Sequence, residues 1–368
     1  MTNRERFDAV LHFRPADRCP VYEWAVWWDK TITRWHGEGV PAGININAFF
    51  GQDAVRQFNL PIRLPGCPGA PGEGMGIMET PEDYKKLKAH LYGDQLIEET
   101  DALLARFAAD DAEQDTVVWF TLEGFFWFPR TLFGIENHFY AFYDYPDLML
   151  EINRDLCAYY KRLLPAVFRH LRPAYMTFAE DMSYNHGPML SKEQFDAFLL
   201  PFYRELVPLI QAQGTRVFID TDGFVEPLIP WFREAGIEGV LPLERMAGVD
   251  VCRIRETHPD FLMIGGFDKT VMHNGEAAMR AEFERILSAI RAGGYIPSVD
   301  HQTPPDVSVE NYRIFMRLLR EYSVQYGAMS RSIKTRRSRK FLLRRACAYR
   351  SRFKTTISRS GTPASMIG

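Results

Sequence analysis

Five apolar runs in the second half of the chain each end in an acid, and this repetition limits the fold more than any other feature. Val217-Phe218-Ile219 leads into Asp220-Thr221-Asp222-Gly223. Tyr175 to Phe178 precedes Glu180-Asp181, Gly239 to Leu243 precedes Glu244, Phe261 to Gly266 precedes Asp268-Lys269, and Gly294 to Val299 precedes Asp300-His301. Short, partly β-branched runs bounded by glycine or proline read as buried strands. Between them lie stretches of helical period, at about 191–214, 225–235, 249–257, 274–292 and 308–326. Alternation of strand and helix, with every acid at a strand's exit, requires parallel strands joined by right-handed crossovers. The carboxyl ends of such strands are where ligands bind. Side chains two apart on a strand share a face, so Asp220 and Asp222 are expected to point the same way.

Earlier elements are weaker. A helix is expected from Arg4 to Leu11, a first strand at Pro20–Trp24, a helix over 93–112, a strand at Thr116–Thr121, and helices at 135–143 and 146–170. Trp27 to Trp35 reads as a helix packed on the core or as an aromatic wall over a ligand pocket. The run Glu123 to Arg130 reads equally as lid or core. Ser191 with Gln194 three residues on is a capping box, and Pro201 and Pro208 should kink or break the helix that it opens. About eight strands in all favour a closed (β/α)8 TIM barrel, one α/β domain over residues 1–329.

The chain of 368 residues is 46% hydrophobic and 25% charged, enough for a sizeable core. Its five cysteines are dispersed, with no CxxC or HxC spacing, which argues against a disulfide framework or a thiolate zinc site and fits a reducing cytoplasm. No signal-peptide core and no membrane-length apolar run is present. Residues 330–368 differ in kind, holding 12 of the 44 basic residues and none of the 47 acidic ones. This tail is expected to be disordered. A basic run can bind nucleic acid, but so abrupt a change of character fits an accretion on the coding sequence at least as well. Without the tail the body is strongly acidic.

Asp300-His301-Gln302-Thr303-Pro304-Pro305, followed by Glu310-Asn311 opening the last helix, resembles the C-terminal signature of the uroporphyrinogen decarboxylase superfamily. Gly187 to Ser191 with Phe195 to Pro201, and Asp220 to Gly223 with Glu234 to Ile237, are similar to its middle segments. The resemblance implies a (β/α)8 barrel with its active site at the mouth, and either of two chemistries. One is cofactor-free decarboxylation of tetrapyrrole acetates. The other is methyl transfer from a corrinoid to a thiol on zinc. The decarboxylases' arginine-bearing N-terminal segment is absent, since Val21 to Trp28 contains no arginine. By position, Asp220 and Asp222 occupy the places of the methyltransferases' His-x-Cys ligands, and His301 falls near their later cysteine.

The leading expectation is therefore a methyltransferase or demethylase using a divalent metal (zinc, iron or manganese) on Asp220, Asp222 and His301. These three would also be the catalytic residues, with a corrinoid carried by a partner protein and a homodimer compatible with the fold. Glu180, Asp181, Glu244, Asp268, Lys269 and Asp300 are expected to contact a small-molecule substrate. The alternatives are a cofactor-free decarboxylase using Asp220 or Asp222 with His301, and a non-catalytic binding barrel. Carboxylates that converge repel one another unless a cation or protons neutralise them.

Overall fold

The computed structural model describes residues 1–25, 27–111 and 115–326. The predicted basic tail, 330–368, lies outside the described residues. Seven strands form one parallel sheet: β1 (Val55–Asn59), β2 (Val117–Glu123), β3 (Tyr175–Ala179), β6 (Arg216–Thr221), β7 (Gly239–Pro242), β8 (Leu262–Phe267) and β9 (Tyr295–Val299), hydrogen-bonded in that order. A two-stranded antiparallel hairpin, β4 (Ser183–Tyr184) and β5 (Gly187–Pro188), follows β3. The register puts Trp119 opposite Tyr175, Tyr175 opposite Arg216, Phe218 opposite Gly239 and Met263 opposite Tyr295.

Alternation within the strands separates two environments. One set of side chains meets on the concave side of the sheet. Gln57 Nε2 donates to Thr121 Oγ1 at 2.9 Å, Thr121 and Thr177 share a hydroxyl–hydroxyl bond at 2.9 Å, and the Trp119 and Tyr175 rings stack at 4.9 Å. Residues of the other set, including Phe120, Met176, Val217 and Ile219, are fully buried against the helices. Phe120, for example, packs on Phe168 of the helix Pro146–His170. Helices Glu276–Ala292 and Val309–Ser323 lock together through Phe283, whose ring stacks on Tyr322 at 4.9 Å.

Two strand expectations need correction. Pro20–Trp24 joins no ladder, so among the described residues the sheet has seven strands where about eight were expected. Its N–H groups bond to side chains instead, Val21 N to Asp53 Oδ2 (2.8 Å) and Glu23 N to Gln52 Oε1 (2.9 Å). The segment nevertheless spans from β9 to the start of β1. Trp24 Nε1 donates to Val299 O at 2.8 Å, and Asp53 N donates to Val21 O at 2.8 Å. Conversely, β1 was not anticipated, because Val55-Arg56-Gln57-Phe58-Asn59 carries only two apolar residues. Only Phe58 of the five is buried.

The helices follow their patterns more closely. Ser191 and Gln194 form the expected capping box. The helix breaks at Leu199, which lets Pro201 sit in the first turn of Leu200–Gln211, where its missing N–H is not needed. Pro208 lies inside that second helix without breaking it. The two aromatic runs also resolve. Phe125, Phe126 and Phe128 are fully buried, hence core and not lid. Trp35 is core as well, whereas Trp27 is partly exposed and lines a cavity. No helix among the described residues is long and apolar enough to cross a membrane.

Candidate active site

The strand exits of β3, β6, β7, β8 and β9 bring a subset of the predicted acids together. Asp220 is the penultimate residue of β6 and is half-buried, while Asp222 lies one residue past the strand's end. Gly223 then turns the chain at φ 82°, with the backbone of Tyr184 packed so close that a Cβ there would stand 2.6 Å from it. Asp222 therefore lies outside the β6 ladder, just before the turn. Its carboxylate faces His301, with Oδ2 3.7 Å from Nε2. Glu244 reaches the same place from β7, accepting from Gly223 N at 2.9 Å. Its predecessor Leu243 adopts φ 68°, a left-handed conformation that costs a branched residue about 1–2 kcal/mol.

Two cations enter. Lys269 Nζ stands 3.4 Å from Asp300 Oδ1 and 4.0 Å from Glu244 Oε1. Arg130 was not singled out from the sequence. It reaches across from the helix Trp127–Phe133 to hold Asp181, both at Oδ2 and at the carbonyl oxygen, at 3.1 Å. Asp181 has φ 42°, a left-handed conformation that Asp tolerates. Its N–H and that of Glu180 both donate to Asp220 O, at 3.3 and 2.9 Å. The only advance sign of Arg130 was its place seven residues beyond the exit of β2. Trp24 was likewise missed, and its ring stands edge-on to the His301 imidazole at 6.5 Å.

Three of the acids expected to contact substrate are bonded to the scaffold. Glu180 is fully buried. It accepts from the N–H groups of Phe125 (2.8 Å), Phe126 (2.8 Å) and Trp127 (3.0 Å), and from the Tyr203 hydroxyl. Gly124 is required beside it, because a Cβ there would stand 1.9 Å from Glu180 Cδ. Asp268 caps the following turn by accepting from Thr270 N (2.9 Å) and Thr270 Oγ1 (2.5 Å). Asp300 is fully buried and ties two loops together, accepting from Arg245 N (2.9 Å) and Lys269 N (3.2 Å). Each of these acids satisfies backbone donors left free where a strand ends.

The metal triad expected of Asp220, Asp222 and His301 does not assemble. Among the described residues no three His, Cys, Asp or Glu side chains come together as metal ligands. Asp222 and His301 approach each other, with Oδ2 3.7 Å from Nε2, and Asp222 stands near enough to Asp220 for its charge to raise the Asp220 carboxyl.

Protons do part of the neutralising instead. Burial, then Asp222 and Asp181, pushes the Asp220 carboxyl up to about 8. Burial, then Glu244 and Asp181, pushes Asp222 up to about 7, against the pull of Lys269. Burial raises Asp181 as well, opposed by Arg130. Burial and then Lys269 lower His301, keeping the imidazole neutral near pH 7. The mouth thus holds one carboxyl, Asp220, that keeps its proton at neutral pH, a second, Asp222, that is divided between its protonated and ionised forms, and a neutral imidazole next to Asp222.

Fold and site together define a class: a parallel α/β protein whose ionisable groups converge at the carboxyl ends of its strands. The chain belongs to the uroporphyrinogen decarboxylase (URO-D) family, whose model matches residues 134–322, just over half of it. Among solved structures it is similar to a methyltransferase from Methanosarcina mazei, at 14% identity and a TM-score of 0.56, over 88% of this chain and 99% of that one. A vitamin-B12-independent methionine synthase from Listeria monocytogenes also matches, at 12% identity and a TM-score of 0.45, over 84% and 97% of the two chains. No curated protein matches.

Proposed function

We propose that this member of the family is an enzyme that moves protons on a small molecule, with Asp220 and Asp222 as the proton-holding pair and His301 as their neutral partner. The observation that carries the reading is the meeting of Asp220 and Asp222 at the exit of β6 with His301 3.7 Å from Asp222, where burial and neighbouring acids raise both carboxyls. A buried carboxyl that keeps its proton near pH 7 is suited to protonating a carbanion. The reaction that uses it is decarboxylation. As carbon dioxide leaves, the electrons of the broken C–C bond remain on the substrate carbon, which takes the proton of Asp220. Water restores that proton through Asp222 and His301.

Arg130 and Lys269, whose side chains are largely buried, are the cations available to a departing carboxylate. The surrounding acids would repel a polyanionic tetrapyrrole, so the substrate has one carboxylate or few. In this reading residues 1–329 act as one cytoplasmic domain, and Cys19–Trp24 closes the seven-stranded sheet in the eighth position of a barrel.

The test is release of labelled carbon dioxide from a panel of carboxyl-labelled small acids by protein freed of metal with chelator. Turnover that survives chelation and disappears in Asp220→Asn supports the reading. Turnover that requires added zinc, iron(II) or manganese, or appears only with a corrinoid protein and a methyl acceptor, would overturn it. That outcome would restore methyl transfer, for which the surplus of acids over cations at the mouth is the favouring observation.

A further inference from the structure

A cavity of about 350 Å³ lies between Tyr22–Ala25 and Trp27 on one side and strands β1 and β2 on the other. Trp24, Trp27 and Trp119 line it, with the amides of Asn47 and Gln57 and the acid Glu23. Trp24 is shared with the active site, standing edge-on to His301. Glu23 is 7% exposed. One of its oxygens accepts from Ser298 Oγ at 2.5 Å, and the other, also buried, has no hydrogen-bond partner.

A buried carboxylate needs either a proton or a cation, and an unpaired buried acceptor is costly. The groups that face the Glu23 carboxyl are the Ser298 hydroxyl on β9, the backbone N–H groups of Trp24 and Val299, the Asp300 carboxyl and the Tyr312 hydroxyl on the last helix. None is a cation. The second acid on the cavity wall, Asp53, is neutralised by Arg18 at 2.6 and 2.8 Å. Arg56 is exposed, its guanidinium over the Phe58 ring at 5.6 Å. The cavity therefore combines an acid that has one unpartnered oxygen and no cation beside it with three indole-bearing residues, and indole faces attract organic cations.

We propose that this cavity binds a small protonated amine, its ammonium group against Glu23 and its carbon chain among the tryptophans. This deepens the proton-transfer reading by naming the substrate's class, and it rests on that reading only for what the bound amine is used for. Burial pushes Glu23 up to about 8, so at pH 7 its carboxyl carries a proton. Binding then exchanges one cation for another. The ammonium pairs with the carboxylate, and the carboxyl proton leaves to water.

The experiment compares n-butylamine with butan-1-ol on the full chain at pH 7, by titration calorimetry and tryptophan fluorescence. The amine is expected to saturate at least tenfold more tightly than the alcohol. Calorimetry in two buffers of different ionisation enthalpy should show close to one proton released. Glu23→Gln should weaken the amine tenfold or more and leave the alcohol unchanged. If that variant does not fold, the wild type still decides, because amine affinity should rise nearly tenfold per unit from pH 6 to 7.5. Equal binding of amine and alcohol, no saturable binding, or binding without proton release would overturn the proposal. So would binding lost in Asp222→Asn but kept in Glu23→Gln, which would place the amine in the mouth. Asp220→Asn separates the two readings: it should abolish turnover and keep amine binding.

Discussion

At the scale of single residues, the site is a contest between burial and charge, and burial prevails at Asp220. Its carboxyl is raised to about 8 against about 3.9 in an unfolded chain. Between those values the folded state binds more protons than the unfolded one, so stability falls as pH rises from 4 towards 8. Asp220→Asn removes this dependence. The variant's thermal midpoint should change less than the wild type's between pH 5 and 8, while activity falls about 10²–10⁴-fold, the span of a general acid. Parallel melting curves for the two proteins would disprove the proton assignment.

His138 shows the opposite sign. It is fully buried against Phe126 and Phe142, neither ring nitrogen has a partner, and burial lowers it to about 3. Its contribution is present above the unfolded value near 6.5 and is lost as pH falls towards 3. His138→Phe should stabilise the protein by ~1–2 kcal/mol at pH 7 and by more at pH 5, as urea denaturation would show.

The elements explain what could be read in advance. Strands β3, β6, β7, β8 and β9 were legible because both of their faces are buried, giving continuous apolar runs. β1 was not, because its partly exposed Gln57 contacts polar groups on the concave side while Arg56 and Asn59 are exposed. The acids' positions were legible for the same reason as the strands. Their roles were not, since a strand-exit acid can face substrate or satisfy a loop's free N–H groups, and only three-dimensional packing decides which. Glu180 went to the second role because the turn after β2 presents three N–H groups to it. That turn admits no side chain at Gly124. Gly124→Ala should therefore cost ~1–3 kcal/mol through overpacking and lower turnover by displacing Asp181, the residue next to Glu180. A variant with unchanged denaturation midpoint and activity would show that the turn can give way.

For the molecule as a whole, what matters is how a seven-stranded sheet is held in a curve. The described sheet runs from β1 to β9, and Cys19–Trp24 is bonded at both of those edges, to Tyr295 O and Val299 O on β9 and to Asp53 just before β1. That segment was legible as extended chain, but its partners were not, because they are side chains remote in sequence. Asp53 is the main tie. It takes the Arg18 guanidinium through both oxygens and the N–H of Val21 through one, while its own N–H donates to Val21 O. Its side chain is 9% exposed, so these are largely desolvated, charge-assisted bonds. Asp53→Ala should cost ~3–5 kcal/mol, because the Arg18 charge, with its side chain 25% exposed, is left without its partner. The partial exposure of Arg18 puts the expected value at the lower end. Hydrogen exchange reveals more than the midpoint does. If the segment holds the curve, amides of β9 and β1 should lose protection together with those of 19–24, and His301 and Trp24 would no longer be set against each other, lowering activity as well. Faster exchange confined to residues 1–25, with β9 and β1 unchanged, would mean that the sheet and its ring of helices hold their shape alone and that the N-terminal segment only covers the opening.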